Sequence, residues 1–457
     1  RTAVRVTQEL TAVPTRAATA APAMVVLTPA RATRALTAAP TPKTSGGEDL
    51  TSPSAAGGSA LSRCVACSHD VFAAEYWGRA PLLTRAADLN EDFDDLFDAA
   101  AVDELVSRRG LRTPFLRMAK DGNVLPTAKF TRGGGAGASI GDQAADDRVL
   151  AMIADGATLV LQALHRNWPP LMTFAAQLAD ELGHPAQINA YITPSQNQGF
   201  APHYDVHDVF VLQVAGRKHW TMHSPVVTDP LADQPWENRR AEVCARAQEP
   251  PLIDTVLAPG DALYLPRGTI HAAQALGETS IHLTVGVHPV TRYQLVRHLL
   301  ESAQADPELR TSLPVGTDLA DPDVLAPSLA ATIEALRRYL DSAPADEIAR
   351  RVGTSLMRLT RPEPLAPLAQ LAAADALDER TPLRLRTGLR LRVERDDTHV
   401  RIVLLDRTVE LPLNADPAIK TVLAGAAFAP ADLPGLDAAE QLTVATRLLR
   451  EGVLVPA

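Results

Sequence analysis

Apolar positions between residues 158 and 290 change from a helical spacing to a strand-like one. Residues 158–164 form an apolar, β-branched run that predicts a strand, and residues 169–182 predict a helix with proline near its first turn. Short apolar runs follow, punctuated by glycine or proline, at residues 187–192, 206–214, 219–223, 254–257, 262–265 and 280–287. Short strands in such close succession are typical of a β-sandwich or barrel.

Helical spacing dominates on both sides of this β-rich stretch. Residues 91–106 predict an amphipathic helix with Asn90 as its N-cap. Beyond residue 289, Leu295 and Leu299 share one helical face, and a longer apolar stripe contains Leu329, Ile333, Leu336 and Leu340. An apolar stripe outside the barrel needs a covering surface, which we expect the neighbouring subunit to supply.

The C-terminal part of the chain predicts a separate small module. Leucine alternates with arginine over residues 383–393, which places Arg384, Arg386, Arg390 and Arg392 on one strand face. A strand at residues 400–404, two helical segments and a last strand at residues 453–455 follow. This order indicates an α+β module of the winged-helix type, joined through a proline-rich segment at residues 362–367.

Composition narrows the class of protein. A chain of 457 residues with 46% hydrophobic residues is expected to fold into two or three domains. Its net charge of -10 argues against nucleic acid held by the overall field of the chain. No apolar run reaches the length of a membrane-spanning helix, and three cysteines cannot form a disulfide framework, so we expect a reducing cytoplasm. The alanine- and arginine-rich composition suggests a bacterial source.

The N-terminal stretch, residues 1–60, differs from the rest in composition. It is rich in alanine, threonine, proline, serine and arginine and poor in acidic residues before Glu48. A transit peptide has a similar composition. We favour a disordered tail or an over-long gene start, and we expect ordered structure to begin near Leu61.

The segment around His203 contains the first candidate chemistry. Residues i and i+2 of a strand point the same way, so His203 and Asp205 present an imidazole and a carboxylate side by side. Non-haem Fe(II) prefers two histidines and one carboxylate on one octahedral face, with open positions for a 2-oxo acid and O2. An isolated HxD pair often arises by chance, in which case the histidine is a hydrogen-bonded surface residue.

A third ligand is expected from a distant strand that the barrel brings close. Residues 259–271 contain a Gly-Asp turn, an apolar strand and a Pro/Gly turn that ends at His271. HxD followed at this distance by strand, turn and histidine is a much stronger signal than HxD alone. His207, His219, His223 and His282 lie in the same region, but three protein ligands already complete the set, so we expect them at the surface or supporting the ligands.

Lys218 is the candidate partner of the co-substrate. A 2-oxoglutarate enzyme must pair the distal carboxylate with a buried cation, because an unpaired anion in the pocket would cost several kcal/mol. Lys218 follows His203 by fifteen positions, across a turn predicted at Ala215-Gly216. The chain otherwise uses arginine for nearly every cation, which favours a specific role. The alternative is a lysine in a solvated turn.

These stretches together resemble the JmjC-type ribosomal oxygenases, which hydroxylate a histidine or arginine side chain of ribosomal proteins. The matching segments are NAYITP at residues 189–194, QGFAPHYD at 198–205, FVLQVAGRKHW at 210–220, GDALYLPRGTIH at 260–271 and SIHLT at 280–284. The resemblance implies a mainly β double-stranded β-helix of the jelly-roll or cupin type with flanking helices. It also implies Fe(II) on His203, Asp205 and His271, and 2-oxoglutarate on Lys218.

Further roles and boundaries follow only from that resemblance. Asn189 and Tyr191 match positions that line the co-substrate pocket, and Thr284 is a further carry-over; Tyr191 could equally be a core aromatic. The implied domains are a JmjC catalytic domain at 61–289, a helical dimerisation segment at 290–362 and a winged-helix-like domain at 363–457. A homodimer with a protein substrate, no membrane and no direct nucleic-acid binding is the expected setting.

Several functions share this chemistry. Besides a protein hydroxylase, the residues allow a peptide or small-molecule tailoring hydroxylase, an N-methyl-lysine demethylase, or a barrel that binds without catalysis. The arginine face of residues 383–393 could contact phosphate, although a solvated or interface face is the simpler interpretation. Asp208 could contact substrate or be a solvated acid of a turn, and the sequence leaves that choice open.

Overall fold

The computed structural model describes residues 59–120, 122–195, 197 and 201–457. The prediction for residues 1–60 therefore lies outside the described residues except at its last two positions, as do Gln198, Gly199 and Phe200 of the HxD segment. Leu61, where ordered structure was expected to begin, is buried and starts a 3-10 turn.

The elements before the central strands are short. They are α1 (His69–Val71), β1 (Leu82–Thr84), α2 (Ala99–Ser107), β2 (Leu116–Lys120), β3 (Asn123–Val124), β4 (Thr131–Arg132), β5 (Gln143–Ala144) and α3 (Asp146–Ala154). Helix α2 begins later than the helix predicted at residues 91–106. Asp98 is its N-cap in place of Asn90, because the Asp98 carboxylate accepts a hydrogen bond of 2.7 Å from the N–H of Ala101.

The central elements form one antiparallel sheet with a helix beside it. They are β6 (Thr158–Leu161), α4 (Pro169–Leu182), β7 (Ala186–Thr193), β8 (Asp208–His223), α5 (Arg240–Arg246), β9 (Ile253–Leu257), β10 (Ala262–Leu265) and β11 (Ile270–Val287). The sheet has the order β1-β10-β8-β11-β7-β6-β2-β3, and β9 pairs with β8 beside β10. The helix predicted at residues 169–182 and the strand predicted at residues 262–265 are confirmed.

One face of this sheet packs into the main hydrophobic core. Alternate residues such as Ile188, Phe210 and Leu283 point to that face, where they meet Leu171 and Phe174 of α4. All five are at most 3% exposed. Full burial of a side chain of this size contributes about 1.5–3 kcal/mol, so this face fixes the register of β7, β8 and β11. The opposite face is left for the site.

Strands β8 and β11 are both bent, so that residues far apart along them lie close together. Trp220 pairs in register with Ala273, yet its ring centroid lies 5.5 Å from that of His282, much farther along β11. At about 3.3 Å per residue, a straight strand would hold these rings far apart. The bend lies where Gly216 has φ +63° and where the β8–β11 pairing shifts register opposite it.

A second core lies in the C-terminal part of the chain. The remaining elements are α6 (Arg292–Ala303), α7 (Pro322–Asp341), α8 (Ala345–Leu359), α9 (Pro367–Asp375), β12 (Leu383–Leu385), β13 (Arg392–Arg395), β14 (His399–Val403), β15 (Thr408–Pro412), α10 (Asp416–Leu423), α11 (Ala438–Arg450) and β16 (Leu454–Pro456). Buried residues such as Leu383, Ile402 and Leu448 form this core separately from the main one.

The continuous strand predicted at residues 383–393 is wrong. Strand β12 ends at Leu385, a turn at Gly388 with φ +69° follows, and β13 begins only at Arg392. The four arginines therefore do not share one strand face. Within the residues that the structure describes, no helix is both long and apolar enough to cross a membrane.

Candidate metal centre and co-substrate pocket

His203 and His271 face each other across a short antiparallel bridge. The N–H of His203 donates to the C=O of His271 at 3.2 Å, and the N–H of His271 donates back at 2.8 Å. The two imidazole centroids lie 4.5 Å apart. Oδ2 of Asp205 lies 3.8 Å from Nε2 of His271, and one ligand atom from each of the three residues lies within 4.8 Å of the others. The structure thus brings the three predicted ligands together.

The hydrogen bonds of the two imidazoles fit a metal site. Nδ1 of His203 lies 2.8 Å from the C=O of Ala201, and Nδ1 of His271 lies 3.0 Å from the C=O of Thr269. A carbonyl can only accept, so each Nδ1 carries a proton, and Nε2 is the nitrogen left to bind a metal. Two neutral imidazole nitrogens and one carboxylate are the donor set that suits Fe(II).

Electrostatics keep the ligands in the protonation states that a metal needs. Burial, with repulsion from His203, lowers the pKa of His271 to about 4, so its imidazole is neutral near pH 7. Burial alone would raise the pKa of Asp205. The surrounding imidazoles, His207 foremost, and the guanidinium of Arg117 outweigh it and hold the pKa of this carboxyl below its ordinary value.

The turn between β10 and β11 contacts both the Asp205 backbone and the His271 side chain. Gly268 donates its N–H to the C=O of Asp205 at 2.9 Å, and the C=O of Thr269 accepts from His271 as described above. Gly268 has φ +86°, and a Cβ there would come within 2.6 Å of the carbonyl oxygen of Val227. Glycine is therefore required at this turn for both its backbone angle and its packing.

Lys218 is a buried cation beside this centre. The residue is 4% exposed, and its Nζ lies 3.2 Å from Oγ1 of Thr193 and 3.4 Å from Nδ1 of His282. Among the described residues no carboxylate forms an ion pair with it. Burial lowers the pKa of Lys218 to about 7. Such an ammonium favours an anion that the protein itself does not provide.

The turn predicted at Ala215-Gly216 is not present, because β8 runs through both residues. Lys218 reaches the site because β8 and β11 bend at this point. Trp220 lies between the metal-ligand cluster and Lys218. Its ring centroid is 6.0 Å from that of His271 and 5.9 Å from Nζ of Lys218. The buried indole Nε1 of Trp220 has no hydrogen-bond partner among the described residues, so it remains a donor for a ligand.

The three remaining predicted pocket residues lie on the same face of the sheet. Tyr191 stacks on His282 with centroids 5.0 Å apart, which places its ring close to Lys218. Thr284 pairs in register with Asn189. The side-chain oxygen of Asn189 accepts from the N–H of Ala163 at 3.0 Å, so part of its hydrogen-bonding capacity supports the neighbouring backbone.

Sequence reasoning missed Arg117 of β2. Its guanidinium is close enough to Tyr191 and Asp205 to lower the pKa of both groups against the effect of burial. No local pattern distinguishes it, because β2 joins the site by pairing with β6, which in turn pairs with β7. His207 also lies beside the centre, with its ring stacked on that of His288 at 4.9 Å.

The other residues left open by the sequence take different positions. Asp208 is 0% exposed and accepts a hydrogen bond of 3.0 Å from the hydroxyl of Tyr264, so both earlier interpretations, substrate contact and solvated acid, are wrong. His219 is at the surface, where it pairs with Asp254 at 2.5 Å. His282 is buried and supports Lys218.

Comparisons with known proteins agree with this geometry. Residues 167–295 match the family model described as the JmjC domain. The chain is 29% identical over 261 residues to the bifunctional lysine-specific demethylase and histidyl-hydroxylase NO66 of Culex quinquefasciatus, covering 54% of this chain and 37% of that protein. It is also 29% identical over 290 residues to ribosomal oxygenase 1 of Gallus gallus, covering 60% and 46% respectively. The chain thus spans less than half the length of these curated relatives.

A solved structure shares the fold. The Escherichia coli ribosomal oxygenase YcfD superposes with a TM-score of 0.50 at 18% identity, covering 86% of this chain and 98% of that one. The predicted fold class, a mainly antiparallel β core of the JmjC or cupin type with flanking helices and a further C-terminal part, is confirmed. Residues 167–295 therefore form a JmjC domain, in a chain that is similar to the ribosomal oxygenases.

Proposed function

We propose that this chain is an Fe(II)- and 2-oxoglutarate-dependent oxygenase that hydroxylates a protein side chain. The observation that carries the proposal is the combination of a two-histidine, one-carboxylate cluster with a buried lysine ammonium that pairs with no carboxylate of the described residues. The first group suits a divalent cation and the second suits a carboxylate. 2-Oxoglutarate can engage both ends at once.

In this proposal one group of residues binds the metal and another binds the distal carboxylate, at opposite ends of the pocket. His203, Asp205 and His271 would hold Fe(II), which supplies the open positions where the 2-oxo acid and O2 react when it is bound. Lys218 neutralises the distal carboxylate, and the hydroxyl of Thr193 orients the ammonium.

Apolar side chains line the same interior and exclude water from it. Val209, Val211, Met222, Leu257 and Leu263 are each at most 2% exposed and pack together with Trp220. A dry pocket strengthens the pairing of Lys218 with an anion, and it protects the reactive site from solvent.

A protein substrate, specifically a histidine or arginine of a ribosomal protein, is the finer part of the proposal. The names of the relatives support it, since they include ribosomal oxygenases and a histidyl-hydroxylase. One of those names also includes lysine-specific demethylase, so N-methyl-lysine demethylation remains an alternative with the same metal chemistry. A ribosomal substrate implies a cytoplasmic setting.

We also propose that the chain forms a homodimer through residues 290–362, between a JmjC catalytic domain at 61–289 and a winged-helix-like domain at 363–457. Exposed apolar side chains on α6 and α7 support the dimer: Val296, Leu300, Leu329, Ile333 and Leu340 are 42–52% exposed. Burial of such a surface against a second copy would be favourable.

Direct nucleic-acid binding by the C-terminal domain is not expected. Three of the four arginines once considered for phosphate contact already pair with acids: Arg384 with Glu363 at 2.8 Å, Arg390 with Asp180 at 3.4 Å and Arg392 with Glu394 at 2.8 Å.

Iron-dependent formation of succinate tests the chemistry. Purified chain with Fe(II), O2 and 2-oxoglutarate should form succinate, and His203→Ala should abolish this. His219→Ala is the matched control, because His219 lies on β8 but faces solvent and pairs with Asp254. Unchanged turnover in His203→Ala would rule out the assigned centre.

Mass spectrometry tests the substrate. Ribosomal proteins from cells with and without the gene should differ by one oxygen at one histidine or arginine. A loss of methyl groups from lysine would favour the demethylase alternative. Identical spectra would contradict a ribosomal substrate while leaving the succinate result intact.

A further inference from the structure

We infer that Asp208 and Arg267, buried behind the metal-bearing face, are positioning residues that hold His271 and Asp205 in metal-binding geometry. The inference rests on the proposed Fe(II) site and deepens it. Neither residue belongs to the ligand set, and Asp208 is on the opposite face of the sheet, where its carboxylate meets Tyr264 of the main core.

Asp208 is buried and Arg267 is largely so, and the two side chains share several polar contacts. Oδ1 of Asp208 accepts from the hydroxyl of Tyr264 at 3.0 Å and from the backbone N–H of Arg267 at 3.2 Å. Nη1 of Arg267 lies 3.5 Å from Oδ2 of Asp208, and the two side chains are 14% and 0% exposed. Nη2 of Arg267 also pairs with Asp229 at 3.1 Å. The hydroxyl of Tyr264 in turn accepts from the N–H of Gly78 at 2.9 Å.

Arg267 lies in the turn that contacts both Asp205 and His271. The next residue, Gly268, donates its N–H to the backbone of Asp205, and the one after it, Thr269, accepts from Nδ1 of His271. The Asp208 carboxylate holds this turn through the backbone and the side chain of Arg267 at once. The orientation of His271 and the choice of its metal-facing nitrogen therefore depend on the position of this turn.

Loss of the Asp208 charge should loosen the turn without removing any ligand. The guanidinium of Arg267 would remain largely buried, with Asp229 at the rim as its one remaining acidic partner among the described residues. An uncompensated buried charge tends to move toward water. Such a movement would carry Gly268 and Thr269 with it and so displace His271.

Asp261 provides a matched control, because it is also a buried aspartate bound to an arginine. Asp261 is 4% exposed and pairs with Arg85 at 2.8 Å, at the opposite end of β10 from the turn. Asp261→Asn should cost stability as Asp208→Asn does. It should not affect the metal site, because the Asp261 carboxylate accepts hydrogen bonds from Arg85, Ala86 and Ala258 and these residues lie outside the turn at 266–269.

Co(II) titration of the full, metal-free chain tests the inference. Co(II) stands close to Fe(II) in ligand preference and does not react readily with air, and its visible absorption reports coordination geometry. Asp208→Asn and Arg267→Gln should each weaken Co(II) binding about 10- to 100-fold and alter the absorption bands, as loss of a ligand-supporting contact does. Asp261→Asn should bind Co(II) within about twofold of the unmodified chain.

The double variant sharpens the test. If the two residues act as one unit, Asp208→Asn with Arg267→Gln should weaken Co(II) binding no more than the worse single variant. Unchanged Co(II) affinity and spectrum in a folded Asp208→Asn or Arg267→Gln would overturn the inference. An equal loss in Asp261→Asn would overturn it too, since that result means general destabilisation.

Failure of the proposed function gives a different pattern. If the unmodified chain binds no Co(II), the metal site itself is wrong. If the unmodified chain and Asp261→Asn both bind, only the behaviour of the Asp208 and Arg267 variants decides the inference. If Asp208→Asn does not fold, Arg267→Gln carries the test alone. In that variant Asp208 keeps its hydrogen bond from Tyr264.

Discussion

The two ends of the pocket differ in the charge of the ligand that they attract. At the metal end, two imidazoles and one carboxylate converge, with side chains that are 9% exposed for His271 and 30% exposed for Asp205. At the other end, the ammonium of Lys218 is buried, and its hydrogen-bond neighbours among the described residues are Thr193 and His282, which carry no negative charge. One end attracts a cation and the other attracts an anion.

The comparison shows that a single pair of strands can serve both ends. Strand β8 carries Lys218 and begins just after Asp205, and β11 carries both His271 and His282. Because these strands bend, residues far apart along them share one interior. The two ends should therefore be separable by mutation even though they share a scaffold, and the predictions below test that separation.

Loss of a metal ligand should have the largest effect. We expect His271→Ala to lower Co(II) affinity at least about a thousandfold and to abolish succinate formation, because two ligands cannot hold the ion. The measurement is Co(II) titration followed by turnover with Fe(II). A variant that retains strong Co(II) binding would show that His271 is not a ligand.

Loss of the buried ammonium should have a smaller, selective effect. Lys218→Met should raise the dissociation constant of 2-oxoglutarate roughly a hundredfold, since breaking a buried ion pair costs about 3 kcal/mol or more. Co(II) affinity should stay within about threefold. Lys120→Met, which removes a surface lysine paired with Asp155, is the control. Equal loss of metal and co-substrate would contradict separate ends.

Binding of 2-oxoglutarate should weaken as pH rises above about 7. The pKa of Lys218 is lowered to about 7 by burial, so above that pH the free protein must take up a proton to bind the distal carboxylate. Affinity should fall by up to about tenfold per pH unit. The pKa of His282 is held well below its ordinary value by burial and by Lys218, so it stays neutral in this range.

Calorimetry in two buffers of different ionisation enthalpy measures that proton uptake, and Lys218→Met should remove it. The same shift acts on stability with the opposite sign. Between pH 7 and the ordinary lysine pKa of 10.5 the unfolded chain binds more protons than the folded one, so the free energy of unfolding should rise with pH. A pH-independent affinity for 2-oxoglutarate would contradict the role of Lys218.

The smallest effect should come from the hydroxyl that orients the ammonium. Thr193→Val removes the 3.2 Å contact to Lys218 and should weaken 2-oxoglutarate about three- to tenfold, the value of one hydrogen bond. Thr158→Val removes only the 3.2 Å hydroxyl contact between Thr158 and Thr193, and it should leave co-substrate affinity unchanged. Equal effects in both variants would indicate a packing defect.

Local patterns in the sequence were sufficient for the metal end. The sequence predicts His203 and Asp205 on one strand, but both lie before β8, where His203 forms only an isolated bridge to His271. The two-residue spacing still brings both side chains into the cluster. The helix at residues 169–182 and the strand at 262–265 were likewise predictable from hydrophobic spacing. His271 is far from this pair in sequence, and only the pattern of strand, turn and histidine identified it. The fold brings it to the pair through the bridge to His203.

Features that depend on backbone bending and pairing were not predictable. The sequence predicts a turn at Gly216, where the structure has a bend within β8. A glycine after an apolar run gives the same local signal for a turn and for a bent strand. Gly388 interrupts residues 383–393, where alternating leucine and arginine indicated one strand. Arg117 and the buried partner of Asp208 become visible only when distant strands are paired.

The bend at Gly216 has a consequence for ligand choice. A Cβ at this residue would lie 2.3 Å from the carbonyl oxygen of Thr279, so the two strands approach as closely as backbone allows. The angle of that bend fixes the span between the ammonium and the imidazole cluster. If the pocket binds a diacid as proposed, main-chain curvature sets the chain length that it accepts, and a bulkier residue at this one position should change which acid fits.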